Sequence, residues 1–180
     1  MKTYISILRG INVSGHRLIK MDALRKMYEG LGFQNTTTYL QSGNVIFRHK
    51  TTKPEILAQT ISRQIQKDFD YDVPVLVLST ETLKKIIDNN PFGSNKDNTF
   101  LYTTFLFSSP GKYENDAISA KQMKDEEIVI TDKVVYLYCP GGYGKSKLSN
   151  HFIETKLKVV ATTRNWKTTN ELLKIGLQSS

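Results

Sequence analysis

The chain is poor in the residues that usually announce a chemistry. Cys139 is the only cysteine in 180 residues, so no internal disulfide can form, and a reducing cytoplasm is the setting expected of it. The three histidines, His16, His49 and His151, are far apart and show no His-Glu-x-x-His spacing, which argues against a metal site. No G-x-S-x-G elbow is present, and Cys139 has no basic pair nearby to mark it as a nucleophile. The acids of DFDYD begin like a calcium loop. Val73 and Ser79 then stand where that loop needs glycine and glutamate, so the acids are read as solvating a helix exit. Mean hydropathy is −0.36, and no apolar run approaches the ~20 residues of a membrane helix. The opening MKTYISILRGINV is interrupted by Arg9 and lacks a small-residue cleavage site, so it reads as a first strand rather than a signal peptide. No cofactor is expected, and nothing in the sequence sets the oligomeric state.

What the chain does have is positive charge in two places. Net charge is +8, distributed as +6 over residues 1–50, −4 over 51–132 and +6 over 133–180. Basic ends that met in the fold would make a surface suited to phosphates; scattered lysines that are merely solvated are the alternative.

The order of elements repeats. Thr3 to Val13 reads as a strand leading into a polar loop, and Met21 to Leu31 as a helix by the spacing of Met21, Leu24, Tyr28 and Leu31. TTTYLQSGNVIFRH is a hairpin turning at Ser42-Gly43. Pro54 opens a helix carrying Leu57, Ile61 and Ile65, and VPVLVLS is a strand. Ser79 or Thr80 caps a linking helix, which NNPFGSNKDN stops. A strand at 99–107, a short helix around Tyr113 to Met123, a hairpin turning at Thr131-Asp132, a helix over Lys145 to Leu157, a strand KVVATT and a terminal helix from about Thr168 follow. The expected fold is α+β, two tandem ferredoxin-like (βαββαβ) plaits with extra linking and C-terminal helices. Residues 1–79 form the first half, 80–98 the connection, and 99–180 the second half with its C-terminal helix. Strand 99–107 is apolar on both faces, so both faces of its sheet are expected to be covered, one of them by helix 80–89 or the terminal helix.

Four blocks, LRGINVSG (8–15), TYLQSGNVIF (38–47), GYGKSKLSN (142–150) and ATTRNW (161–166), resemble the signature of the domain of unknown function 1697 family, small bacterial proteins with two ferredoxin-like halves. The family carries no established activity, so the resemblance implies a fold and supplies no catalytic residues. Ser14 departs from it, standing where a glycine is expected.

CPGGYGKSKLSN raises the question of a nucleotide-binding P-loop. Gly144-Lys145-Ser146 matches the end of G-x-x-x-x-G-K-[ST], but Cys139 occupies the first glycine position and Pro140 removes an amide donor. The preceding strand also belongs to a hairpin. We therefore expect no NTP hydrolysis. A lesser reading survives, in which Gly141, Gly142 and Gly144 let amides converge, Lys145 and Lys147 supply charge, and Ser146 adds a hydroxyl at a helix start. The other reading of the loop is a plain strand-to-helix connection. Arg9 and Arg164 leave the first and last strands and would complete the site, or else pair with backbone carbonyls or stack on Trp166. The expected partner is a phosphorylated small molecule or nucleotide, bound without hydrolysis. A single-stranded nucleic-acid module is the alternative, with Tyr102, Tyr136 and Tyr138 on the strands that stack bases in recognition-motif plaits. Whether the chain is an enzyme stays open, because the sequence locates no acid or base at reach of the loop.

Overall fold

The computed structural model describes residues 1–50 and 53–179. Its fold is mixed α+β. Among the described residues there are two four-stranded antiparallel sheets and six α-helices. The chain separates into two compact units, Met1–Lys85 with Glu171–Ser180, and Ile86–Asn170. Residues 171–179, the end of the carboxyl-terminal helix, cluster with the first unit.

In the first unit, β1 (Lys2–Leu8), β2 (Gln34–Tyr39), β3 (Asn44–His49) and β4 (Val75–Ser79) pair in the order β2-β3-β1-β4. Helices α1 (Met21–Gly30) and α2 (Pro54–Phe69) follow β1 and β3. Proline at the first turn of α2 fixes a helical φ where no intrahelical bond is lost. Asp70 ends that helix at φ 59, a left-handed cap that aspartate tolerates, so DFDYD is a helix exit. Alternation along the strands turns Tyr4, Ser6 and Leu8 toward the helices, with Val45, Phe47, Val75 and Val77 beside them. Leu24, Met27 and Tyr28 of α1 and Leu57, Ile61 and Ile65 of α2 close this core. Phe33 stacks on Phe47 at 4.4 Å, and Tyr28 meets Phe47 edge-on at 5.6 Å. Ile5, Ile7 and Ile46, on the other face, are also fully buried. There the carboxyl-terminal helix α6 (Trp166–Gln178) brings Gly176 against Ile5 and Thr80, and a Cβ at Gly176 would lie 2.7 Å from the Thr80 methyl. Glycine inside that helix is explained by this approach.

Strand β2 lies at a sheet edge and is interrupted. Its register with β3 shifts between Gln34 and Thr37, with Asn35 at φ 51.

In the second unit, β5 (Leu101–Leu106), β6 (Glu127–Ile130), β7 (Val134–Tyr138) and β8 (Ala161–Asn165) take the order β6-β7-β5-β8. Helices α4 (Asn115–Ser119) and α5 (Asn150–Leu157) cover one face through Ile118, Ile153 and Leu157, packed on Leu106, Val135, Leu137 and Ala161. On the opposite face Leu101, Thr103, Phe105 and Tyr136 are buried as well. The Tyr136 hydroxyl donates to the Ile86 carbonyl at 2.7 Å, on helix α3 (Thr80–Asp88). Both faces of β5 are therefore closed, as its sequence requires. Ser79 caps α3 by accepting the Thr82 amide.

Several boundaries differ from the sequence reading, and three of them have a plain local cause. The helix expected from Lys145 begins at Asn150, because Ser149 accepts the Phe152 amide as its N-cap. The last strand begins at Ala161 rather than Lys158, which is the left-handed C-cap of α5 at φ 54. Helix α6 starts at Trp166 rather than Thr168, because Asn165 caps the Thr168 amide at 2.7 Å.

Tyr28 ties core packing to pH. Its buried hydroxyl shares a 2.8 Å hydrogen bond with Ser6, which donates in turn to the Val45 carbonyl. Burial pushes this phenol well above the ordinary value of 10.0. A phenol neutral in the fold and free to ionise when unfolded contributes stability that is present below pH 10 and lost as pH rises beyond it. Urea unfolding at pH 8 and pH 11 should show a fall in midpoint that is smaller in Tyr28→Phe. An equal fall in both proteins would assign the alkaline loss to other groups.

Candidate functional site

The glycine loop after β7 makes several hydrogen bonds of its own. Cys139 is buried, its amide donates to the Phe100 carbonyl, and burial pushes its thiol up to about 11, far from a nucleophile's range. Three of the loop amides turn inward. Gly142 donates to the Cys139 carbonyl, Lys145 to Gly142 and Ser146 to Tyr143, forming a 3-10 turn over Tyr143–Lys145. Ser146 sits outside the helix, and its hydroxyl accepts the Leu148 amide. Only Gly142 needs to be glycine on backbone grounds, at φ 91; a Cβ at Gly141 or Gly144 would meet open space. Lys145 and Lys147 are exposed.

Tyr143 anchors this loop. Its ring stacks on Tyr102 at 4.8 Å, its hydroxyl donates to Thr163 at 3.1 Å, and burial raises its phenol's pKa. Thr163 donates to the Asn150 side-chain oxygen, and Asn150 donates to the Ala161 carbonyl. Arg164, next along β8, points to the opposite face of the sheet from Thr163. It is 8% exposed and donates to Thr162 Oγ1 and the Thr163 carbonyl, both at 3.0 Å. Burial pushes its guanidinium down to about 10, so it remains a cation at neutral pH. Of the alternatives open to Arg164, pairing with a backbone carbonyl is the one observed. Alternation on β8 does not bring it to the side of the loop that Tyr143 occupies.

The tyrosines of the nucleic-acid alternative are also engaged. Tyr136 is buried and hydrogen-bonded, and Tyr102 is covered by Tyr143. Tyr138 packs near Phe92 and Phe100, with the Lys96 ammonium 4.8 Å from its ring centre. These rings do not form an open stacking platform.

Arg9 lies in the first unit, in a different setting. After β1 the chain is fastened on both sides, Leu8 donating to the Gly43 carbonyl at 2.8 Å and Arg9 to the Pro74 carbonyl at 3.0 Å. It then folds into a tight loop in which Gly10, Asn12, Ser14, Gly15 and Arg17 all have φ between 48 and 76. Such left-handed backbone costs about 1–2 kcal/mol at each ordinary side chain. At Ser14 φ is 49. Asn12 holds the strain in place: its side chain donates to the Ile19 and Gln41 carbonyls and accepts the Ile19 amide. Gly43, in the hairpin turn, lies directly against Ile11. The blocks around residues 8–15 and 38–47 are thus one packed assembly.

This loop frames an open cleft of about 590 Å³ lined by Arg9, Gly10, Val13, Ser14, His16, Arg17 and Tyr71. The Arg17 guanidinium lies across Gly10, 3.5 Å from the Arg9 carbonyl. A Cβ at Gly10 would come within 3.4 Å of it. Cationic side chains, a phenol and an imidazole on one concave surface suit an oxyanion. Of these, only Arg9 stood out in the sequence. The usable signal was the pair of arginines bracketing RGINVSGHR; Tyr71 arrives from the end of α2 and leaves no local sign. Among the described residues no group of three or more His, Cys, Asp or Glu is placed to hold a metal. No helix among them is long and apolar enough to cross a membrane.

A family profile described as "Protein of unknown function (DUF1697)" matches residues 1–136. The chain belongs to this family. The match takes in the Arg9–Arg17 loop and the Gly43 turn and ends before the glycine loop. No curated protein matches the chain. A solved structure, that of a conserved bacterial protein from Streptococcus pneumoniae, is similar at a TM-score of 0.74 and 21% identity, over 98% of this chain and 99% of that one. At that identity the likeness is one of fold.

Two substitutions test how the loop is held. A Cβ at Gly43 would meet Ile11 Cδ1 at 2.6 Å and Leu8 Cβ at 2.9 Å, on a residue at φ 81. Gly43→Ala should lower unfolding free energy by about 2–4 kcal/mol in urea titrations. Asn12→Ala should cost about 2 kcal/mol and speed hydrogen exchange at the Ile19 amide, which loses its acceptor. Unchanged exchange at Ile19 would mean that the loop is fixed by other contacts.

Proposed function

We propose that the protein binds a phosphorylated small molecule, without hydrolysing it, in the cleft between Arg9 and Arg17. The observation that carries this reading is the pair of arginine side chains on one open cleft whose backbone is held in a strained conformation. The cleft falls in the usual size range for small-molecule sites, roughly 300–1,000 Å³. His16 and Tyr71 offer further donors, and the exposed Val13 side chain gives an apolar edge for the rest of the ligand. The exposed Lys145 and Lys147 become peripheral in this reading, since the amides of Gly142, Lys145 and Ser146 serve their own turn.

We also read the two units as tandem ferredoxin-like plaits arisen by duplication. Support comes from the matching strand orders, β2-β3-β1-β4 and β6-β7-β5-β8, each with the connectivity βαββαβ. The lone buried Cys139 fits the cytoplasm as the place of action. The nucleic-acid alternative has less support, because Tyr102 and Tyr136 are engaged in packing and hydrogen bonds.

A thermal-shift screen of nucleotides, sugar phosphates and polyanions, followed by calorimetry on any hit, tests the proposal. Charge-assisted bonds to phosphate are strong, so Arg17→Ala should weaken a hit by about 1.5–3 kcal/mol, while Lys145→Ala leaves it unchanged. A hit lost in Lys145→Ala and retained in Arg17→Ala would move the site to the glycine loop. Binding of single-stranded RNA with a steep salt dependence would favour the other class of partner.

A further inference from the structure

The first sheet carries a second concave site at its other end. The 9–17 cleft lies where β1 ends, whereas a cavity of about 200 Å³ lies where β1 begins, lined in part by Lys2, Thr3, Arg48, Ser79, Thr80 and Glu81. Arg48 pairs with Thr3 across the β1–β3 ladder, so its side chain leaves the sheet on the face away from α1 and α2. Its Nε is buried and has no hydrogen-bond partner among the described residues. A guanidinium N–H turned from water without an acceptor is costly, and native structures rarely leave one so. Here that atom belongs to a side chain that walls a cavity.

The chemistry of the walls narrows what would fit. Arg48 offers a planar fork of N–H donors and Thr80 a hydroxyl. Ser79 is already engaged, capping Thr82 through its hydroxyl. Arg48 and Glu81, of opposite sign, both line the cavity, whereas Lys2 alternates with Thr3 on β1 and sends its side chain to the other face. A singly charged group suits that balance better than a dianion, because the Glu81 carboxylate repels added negative charge. The volume holds a few water-sized groups, enough for one planar oxyanion and a short stem. We propose that this cavity binds a single carboxylate group, with Arg48 as its bidentate partner and Thr80 as a secondary donor.

The wild-type protein can be tested directly. Side-chain ¹H–¹⁵N spectra would follow the Arg48 Nε–H during titration with sodium acetate, against sodium chloride at matched ionic strength and against inorganic phosphate. The expected result is a saturating shift at Arg48 and at the Thr80 and Glu81 amides, produced by acetate at lower concentration than by phosphate. Arg48→Lys keeps the charge and removes the fork, and should raise the acetate midpoint at least tenfold at the two amides. Arg17→Ala should leave it unchanged. A linear response matching chloride, a response retained in full by Arg48→Lys, or saturation by phosphate at the lower concentration would each overturn the proposal. The Arg17→Ala control separates this site from the cleft at the other end of the strand.

Discussion

The first unit is organised around a contact that is possible only because a side chain is missing. At Gly43 the turn between β2 and β3 comes so close to Ile11 and Leu8 that any Cβ would overlap them. Because the turn sits there, the Leu8 amide finds the Gly43 carbonyl, and Asn12 reaches the Gln41 carbonyl. The chain leaving β1 is then fixed at both ends of a short path, and the residues between must take left-handed conformations to close it. Arg9 and Arg17 face one cleft as a result. The positions of these charges are set by apolar packing and backbone hydrogen bonds rather than by any attraction between them, which their like sign forbids.

The two units share a strand order and differ in where their irregular backbone lies. In the first it follows the first strand, over residues 9–20, and is tied down by a side-chain amide, Asn12. In the second the conspicuous loop follows the third strand, over residues 139–149, and is tied down by a phenol, Tyr143, resting on Tyr102 and Thr163. The anchoring groups are buried or half-buried in both cases, and the exposed positions of each loop carry little of the constraint. A polar side chain that satisfies several backbone groups at once replaces the regular ladder there.

Much of this architecture was legible in the chain. Period-two alternation and turn residues such as Ser42-Gly43 located the strands, because each strand buries a face and each turn needs its particular backbone. The apolar pattern on both faces of β5 announced that its sheet would be covered twice. Helix starts were less legible. Ser149 and Asn165 act as caps through geometry, and similar residues nearby, such as Ser146 and Thr168, offered equal promise in sequence. The turn inside the glycine loop was not legible either. Glycines before a helix suggest free amides, but the tight turn engages the amides of Gly142, Lys145 and Ser146 locally. Arg9 was recognisable as a strand-exit arginine. Arg17 and Tyr71 become its neighbours only through the left-handed path of the loop and the end of α2, neither of which has a periodicity to read.

The interruption of β2 bears on how the molecule behaves in a crowded solution. An edge strand of threonine, asparagine and glutamine has neither lysine nor proline to discourage a second strand from adding to it. The displaced register around Asn35 twists the outer row of amides and carbonyls away from a straight line, so a neighbouring chain cannot continue the ladder over its length. Colloidal safety on this side of the sheet is therefore a matter of backbone shape rather than charge, and it should be less sensitive to salt than protection by like-charge repulsion would be.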